Sequence, residues 1–386
     1  MLNEEAPRNK RGETRMKVLV IWRLLTVGGV NAGWRNRSIY FKKHGIETEF
    51  LYTTDHGGLH IMQDVAPVYL TKDDDQIVKI IKRNAYDAII VVDTGAAYKW
   101  LKRAKYKGPV LVEARTPELI KLIPHLKNFR TIEPLTIIVP SQYQKRLVSI
   151  LTDTIPINVI YNGVDTAFFR ALSKQDIDFF SSPILPIDKK VIAYIGRLDK
   201  RKNWPMLLEI AKKIKNERDD IEIWVIGGAQ SIQREEFAAK REEEQLTDIV
   251  KWFPVIPYQQ MPHVYAKIRE SGGCTLATTR SESFGNTFIE SMICGVPVVA
   301  SKMMPITEIV MDGETGLLYH GQNVEDATKK LYEIIDNPTL HGHMSDAAIK
   351  HVQNNFAIQV VAEQYVQLLK KLICMGEGSD GEVNKS

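Results

Sequence analysis

With 386 residues, 44% hydrophobic and 25% charged, the chain has the composition of a globular protein of two or three domains. Its 51 basic and 47 acidic residues leave a net charge of +4, a balance too even for a nucleic-acid binder. No apolar run approaches the roughly 18–20 residues that span a membrane, and residues 1–15 lack the apolar core of a secretory signal. Three cysteines, Cys274, Cys294 and Cys374, show no metal-ligand spacing; Cys274 and Cys294 fall in segments expected to be buried, which points to core packing in a reducing, cytoplasmic setting.

Residues 1–15 are polar and aperiodic and read as a disordered leader. Order is expected from Met16, with a buried strand over 17–22, a loop holding Gly28 and Gly29, a helix over 31–44 closed by Gly45, and a strand over 47–52. Strand, glycine loop, helix and strand make a βαβ unit of a parallel sheet, and the absence of G-x-G-x-x-G removes a dehydrogenase fingerprint. A helix over 75–84, a strand over 88–92, a helix over 96–104 and a strand over 109–113 follow. Strands over 135–140 and 157–161 precede Asn162-Gly163-Val164-Asp165. Residues 173–188, polar with Pro183 and Pro186, read as a linker between domains.

The alternation then repeats. A strand over 190–195 runs into Gly196-Arg197-Leu198-Asp199-Lys200-Arg201-Lys202-Asn203, and the next helix carries Trp204, Leu207, Leu208, Ala211 and Ile214 at helical spacing. A strand over 221–226 ends at Gly227-Gly228, and a charged helix is expected over 231–246. A strand over 249–253, a helix over 261–268 and a strand over 274–277 come next. A turn at 312–318 opens the last strand, and three helical segments follow. The final one places Val361, Tyr365, Leu368, Leu369 and Leu372 on one face, and residues 375–386 are expected to be a disordered tail.

The chemically dense stretch is TRSESFGNTFIESMICGVPVVAS, residues 279–301. Asn286 or Thr287 is expected to cap a short helix reaching about Cys294, with Gly295 in a left-handed closing position and a buried strand after it. Glu282 then sits in a loop and Glu290 lies two turns into the helix, whose first amides are free to hold an anion.

This stretch resembles the Glu-x7-Glu signature of nucleotide-sugar glycosyltransferases of family 4, which a Gly-Val-Pro-Val-Val-Ala run usually follows. The Asn-Gly-Val-Asp turn and Gly196-Arg197-Leu198 with Lys202 resemble further landmarks of that family, and the resemblance spans about 16–373. It implies an α/β protein of GT-B architecture, two tandem Rossmann-like doubly wound domains with a cleft between them. The boundaries expected are an acceptor-side domain over 16–172, the linker over 173–188, a nucleotide-sugar domain over 189–355, and a helix over 356–374 crossing back to the first domain.

The resemblance further implies a retaining hexosyl transfer to an acceptor hydroxyl, from UDP-sugar first and GDP-sugar second, in polysaccharide, glycolipid or cell-envelope glycan synthesis. Cleavage of the donor builds negative charge on the leaving phosphate, which needs fixed cations and amide donors. Arg197 and Lys202 supply the fork and the point charge. Glu290 is carried over as the ligand of the ribose hydroxyls and Glu282 as the contact to the sugar near the reacting carbon. Ser283, Phe284, Gly285, Asn286 and Thr287 offer backbone, while Gly28 and Gly29 face the phosphates. Gly227 belongs to the same donor set, and Pro254-Val255 is where main chain would meet the base.

Neither a metal nor another cofactor is implied, and the acceptor (sugar, lipid or protein) is unread. Many relatives carry a histidine after a first-domain strand; here Glu113 or Arg115 stands in the comparable region. His56 and His60 are acceptor-site candidates. Lys99, Lys102, Arg103, Lys105 and Lys107 read as a solvated face more than as a contact for an anionic acceptor or a peripheral membrane surface. The alternative is a non-catalytic nucleotide-sugar-binding or structural protein on the same scaffold. A two-carboxylate hydrolase is disfavoured: sequence spacing does not establish the about 5 or about 6.5–9.5 Å separation that hydrolysis requires, and the resemblance assigns both carboxylates to the donor.

Overall fold

The structure is a computed structural model that describes residues 15–26, 29–126, 129, 132–173, 176 and 188–378. The expectations for residues 1–14, for Gly28, for most of the 173–188 linker and for 379–386 fall outside the described residues. The chain divides into two compact units: residues up to Gly163 together with those from Ile358 onward, and Val164–Ala357.

In the first unit β1 (Met16–Thr26), α1 (Gly29–Lys43), β2 (Ile46–His56), β3 (Val68–Leu70), α2 (Asp74–Arg83), β4 (Ala88–Val92), α3 (Ala97–Ala104) and β5 (Val110–Glu113) follow one another. Then come α4 (Leu119–Leu126), β6 (Thr136–Val139), α5 (Gln142–Ser149) and β7 (Ile157–Val159). The sheet order is β3-β2-β1-β4-β5-β6-β7, all parallel. Crossovers of this kind put helices on both faces, so the strands must be apolar on both sides. Along β1 the alternation is visible: Val18 and Val20 join one core cluster, Leu19 and Ile21 the other.

The second unit holds β8 (Lys190–Ile195), α6 (Trp204–Glu217), β9 (Ile221–Ile226), α7 (Arg234–Glu243), β10 (Val250–Phe253), α8 (Met261–Glu270) and β11 (Cys274–Ala277). α9 (Asn286–Ile293), β12 (Val298–Ser301), β13 (Gly316–Tyr319), α10 (Val324–Ile335) and α11 (Pro338–Asn355) complete it. Its parallel order is β10-β9-β8-β11-β12-β13. In both sheets the winding reverses beside the first strand, between β1 and β4 and between β8 and β11. Open α/β sheets bind ligands at that point, outside the carboxyl ends of the strands.

Several expectations are corrected. β1 and β2 are longer than the 17–22 and 47–52 read from apolar runs, because their parallel register holds from Met16 with Ile46 to Thr26 with His56. β3 is a three-residue edge strand too short for a periodic signal. α4 tolerates Pro124 inside it, a residue that normally argues against a helix. The unit boundary lies at Gly163 rather than 172. Val164 donates its N–H to the Phe356 carbonyl, and Phe168 and Phe169 pack on Tyr258, so this segment belongs with the second unit. The last helix, α12 (Ile358–Gly378), runs past the expected start of the tail at 375 and groups with the first unit. Adding residues to an existing helix needs no new nucleus.

Candidate active site

The second unit's winding reversal lies between β8 and β11, and the loops leaving these strands carry the charged residues. After β8, Gly196 turns the chain at φ +152°. Asp199 then closes an Asx turn by accepting the Lys202 N–H at 2.8 Å. The buried Tyr194 donates its hydroxyl to the carbonyls of Arg197 at 3.1 Å and Lys202 at 3.3 Å, which pins the loop from below. The loop after β11 locks onto it. Thr278 donates to the carbonyls of Lys202 and Asn203, at 2.9 and 3.0 Å, Thr279 donates to that of Arg201, and the Arg280 N–H reaches the same Arg201 oxygen.

These backbone ties hold Lys202 Nζ 2.8 Å from Glu282 Oε2, both side chains largely buried. Burial alone would push the Glu282 carboxyl up; the charges of Lys202 and Arg201 and the hydrogen bond from Lys202 outweigh it, holding the group below the usual carboxylate range. Arg197 is different. It is mostly exposed and pairs loosely with Asp199 at 3.2 Å, so its guanidinium is available for a ligand. A recess beside the pair is lined by Tyr194, Ile195, Lys202, Thr278, Thr287 and Phe288.

Glycine is required at one position here. Gly285 has φ +110°, and a Cβ there would fall 2.5 Å from the Phe288 ring. This residue, not Asn286 or Thr287, is the N-cap of α9, and no side chain caps the helix. The expected cap is corrected for that reason: the chain enters the helix from a left-handed conformation, with Asn286 already its first residue. Gly295 closes the far end at φ +75°.

Glu290 projects from α9 among buried groups. Burial pushes its carboxyl up to about 7, opposed by a hydrogen bond donated by Tyr265 at 3.4 Å. Phe284 is fully buried against Phe356, so its side chain packs the core rather than facing a site. Gly227 has φ +101°, gives its N–H to the Phe253 carbonyl and accepts the Trp252 indole N–H at 2.9 Å. Pro254 accepts the Ala229 N–H, and Val255 is exposed beside it. Ser283 N–H turns back to its neighbour's carboxylate, Glu282 Oε1, at 3.3 Å.

Thus the structure brings Lys202 and Glu282 into contact and sets Thr287 beside the same recess. Gly29 opens α1 in the first unit. Sequence reasoning missed Tyr194, Thr278, Thr279 and Tyr265. Threonines just past a strand's carboxyl end were a weak signal, and a helix tyrosine aimed at a carboxylate gave none.

In the first unit Glu113 is fully buried and accepts from four side chains: Trp34 Nε1 at 3.2 Å, Arg37 Nη1 at 3.3 Å, Arg115 Nε at 2.9 Å and the Tyr365 hydroxyl at 2.9 Å. Arg115 Nη1 also reaches Asn162 Oδ1 at 2.6 Å. Glu113 and Arg115 therefore hold each other. His56 ends β2 and His60 lies in a short 3-10 turn. Of the basic helix face, Lys99 pairs with Asp74 and Arg103 with Asp75 in the first turn of α2. Among the described residues no cluster of His, Cys, Asp or Glu could hold a metal, and no helix is long and apolar enough to cross a membrane.

Two Rossmann-like parallel sheets in tandem, the second with a charged loop pair at its winding reversal, define the GT-B fold. Residues 176–351 match the family model described as glycosyl transferases group 1. Over 202 residues the chain is 28% identical to a D-inositol 3-phosphate glycosyltransferase of Thermobifida fusca, covering 50% of this chain and 45% of that one. A 41.2 kDa protein of Klebsiella pneumoniae, described as uncharacterized and in the cps region, is 27% identical over 316 residues, 76% of this chain and 81% of it. Over the first of these comparisons, the chain spans about half the length of the curated relatives it matches. Among solved structures, Anabaena Alr3699/HepE in complex with UDP and glucose superposes with a TM-score of 0.80 at 17% identity, over 92% of this chain and 100% of that one. Sucrose-phosphate synthase from Thermosynechococcus elongatus gives 0.77 at 18%, over 94% and 100%.

Proposed function

We propose that the protein is a retaining glycosyltransferase of hexosyl type, moving a sugar from a nucleotide-diphosphate sugar to an acceptor hydroxyl. UDP-sugar is the first choice of donor and GDP-sugar the second. The observation that carries this reading is the Lys202–Glu282 pair, locked by backbone ties at the winding reversal of the second sheet. Lys202, Arg197 and the backbone amides around Gly285 meet the donor diphosphate. Lys202 carries three N–H donors, so one stays on Glu282 while another serves a phosphate oxygen. Glu282 accepts from a sugar hydroxyl near the reacting carbon, and Glu290 accepts from the ribose.

In the reaction the bond from the anomeric carbon to the phosphate oxygen breaks and its electron pair leaves with the nucleoside diphosphate. The acceptor oxygen bonds that carbon on the same face, and its proton passes to a phosphate oxygen of the leaving group. Negative charge grows on the leaving phosphate as this happens, and prepositioned cations stabilise that charge more than they stabilise the bound ground state. Chemistry of this form requires no metal. Acceptors of the polysaccharide, glycolipid or cell-envelope type fit the reading, and the curated relatives named for D-inositol 3-phosphate support a polyhydroxylated acceptor. A cytoplasmic setting, without or with a peripheral membrane contact, is part of the same proposal.

A thermal-shift screen with UDP, GDP, ADP and their sugars tests the donor, because a ligand that binds only the native state raises its apparent stability. Glu290→Ala and Lys202→Ala are expected to lose the shift or the turnover. Wild-type behaviour of both would sink the reading. Product anomeric configuration, read by NMR, tests retention.

The Glu113–Arg115 network favours a second reading, a non-catalytic nucleotide-sugar-binding protein on this scaffold. There the residues comparable to the relatives' histidine are engaged with each other. Tight donor binding with neither transfer nor hydrolysis over a broad acceptor panel would select it.

A further inference from the structure

Glu290 stands half-buried on α9, and among the described residues its side chain has one hydrogen-bond partner, the Tyr265 hydroxyl on α8 at 3.4 Å. That tyrosine has no freedom to leave. Its ring is fully buried and meets Phe169 edge-on, centroids 6.1 Å apart at 70°. Phe169 is buried too, and is itself packed edge-on by Phe168 and Tyr258. The segment bearing Phe169 is tied to α8 by a bond from the Arg269 guanidinium to the Leu172 carbonyl. A chain of fixed contacts therefore runs from the 164–172 segment through Tyr265 to one oxygen of Glu290.

We propose that Tyr265 is a positioning residue: its hydroxyl holds the Glu290 carboxylate in the orientation that receives the donor ribose, and Phe169 fixes the tyrosine ring. The proposal deepens the donor-site reading given above and rests on it for the ribose alone. A carboxylate that must accept two vicinal hydroxyls has to be both ionised and correctly rotated. A neutral phenol donating to one oxygen favours the ionised form and fixes the rotation in one contact. The separation is longer than the roughly 2.7–2.8 Å preferred by O–H···O bonds, as site hydrogen bonds often are before the ligand arrives. The other titratable groups at this place are Cys294 on the same helix, Arg269 on α8, whose charge acts on the Cys294 thiol, and Tyr258, which acts on Tyr265. With Arg269 engaged by the Leu172 and Cys294 carbonyls, Tyr265 is the group placed to donate to Glu290.

Tyr265→Phe removes the hydroxyl and keeps the ring. Two measurements separate the parts of the argument. In ligand-free protein, carboxyl carbon NMR of labelled glutamate, with the Glu290 signal assigned by Glu290→Gln, gives the titration midpoint. Tyr265→Phe is expected to move it upward by about half to one pH unit, the loss of a weakened bond to a charged group. Phe169→Leu, which keeps the hydroxyl and loosens the ring, should move it the same way by less. Calorimetric titration with UDP then reads the consequence. Tyr265→Phe should bind UDP roughly two- to fivefold more weakly near pH 7, and the difference should narrow above about pH 9 as the carboxylate ionises in both, leaving the smaller loss that comes from orientation. Glu290→Gln gives the baseline set by the ligand's own phosphate. An unchanged midpoint in both Tyr265→Phe and Phe169→Leu overturns the proposal. A shifted midpoint with UDP affinity unaffected overturns the ribose role instead, as does Glu290→Gln binding UDP like wild type at every pH.

Discussion

Lys202 and Glu282 show how a candidate site residue is also a structural one. Each lies largely out of solvent, and each supplies the countercharge the other needs. Removing one strands the other, which for buried pairs costs about 3–5 kcal/mol. Lys202→Met is therefore expected to lower denaturant stability by roughly 2–4 kcal/mol, discounted for the pair's residual exposure. Lys202→Met with Glu282→Gln should recover most of that loss while donor turnover stays abolished, a result read by chemical denaturation beside an activity assay. Glu282 is held below its ordinary range, so its contribution is present at neutral pH and is lost as pH falls through the carboxylate range. Glu290 behaves in the opposite sense. Its carboxyl is pushed up to about 7, so the native state prefers the protonated form. Stability from that preference is complete below about pH 4.5 and disappears as pH rises through about 7. Glu290→Gln should thus stabilise the ligand-free protein by about 2–3 kcal/mol at pH 8 and by little at pH 4.5, measured by thermal or urea unfolding at the two pH values.

At the scale of elements, much of the architecture was legible and the exceptions have physical reasons. Both sheets announced themselves through apolar runs separated by helical stripes, since strands covered on both faces have no polar positions to blur the signal. α6 was readable from Trp204, Leu207, Leu208, Ala211 and Ile214 because all five are buried on one side. β3 was not readable: three residues at a sheet edge carry no period. The cap of α9 was misread because Asn286 and Thr287 are favoured capping residues, whereas the left-handed backbone at Gly285 decides the entry. Glu282, Glu290 and Lys202 could be singled out in the sequence; their burial, and the tyrosines and threonines supporting them, depend on contacts from positions far along the chain. Gly285→Ala tests the entry to α9. A side chain in the left-handed region costs about 1–2 kcal/mol, and the clash with the Phe288 ring adds about 1–3 kcal/mol. The expected outcome is a loss of roughly 2–4 kcal/mol in denaturant unfolding, together with raised hydrogen exchange at the first turn of α9.

For the molecule as a whole, the first unit joins two separate stretches, residues up to Gly163 and those from Ile358 onward. α12 covers a face of the first sheet with Val361, Ala362, Tyr365, Val366 and Leu369, and Tyr365 donates to the buried Glu113. Ending the chain at Ala357 would expose that face, at about 1.5–3 kcal/mol for each large side chain lost from burial. It would also leave Glu113 one donor short. Hydrogen exchange on such a truncation should show the first unit opened and the second retained, since the buried residues described in α12 belong to the first unit's core. Loss of protection spread evenly over both units would contradict this division.

One contact at the second unit's winding reversal bears on how such a protein diversifies. Gly196 and Gly227 end neighbouring strands, and a Cβ on Gly227 would come within 2.9 Å of the Gly196 carbonyl oxygen. No side chain fits there without moving main chain, so this turn, which the proposed function places beneath the donor diphosphate, has little room to mutate. On the reading proposed above, changes in donor preference come from the rim instead, where Val255 is exposed. A library confined to Val255 and its neighbours should therefore shift nucleotide choice among folded variants, while one centred on the two glycines should return mostly misfolded protein.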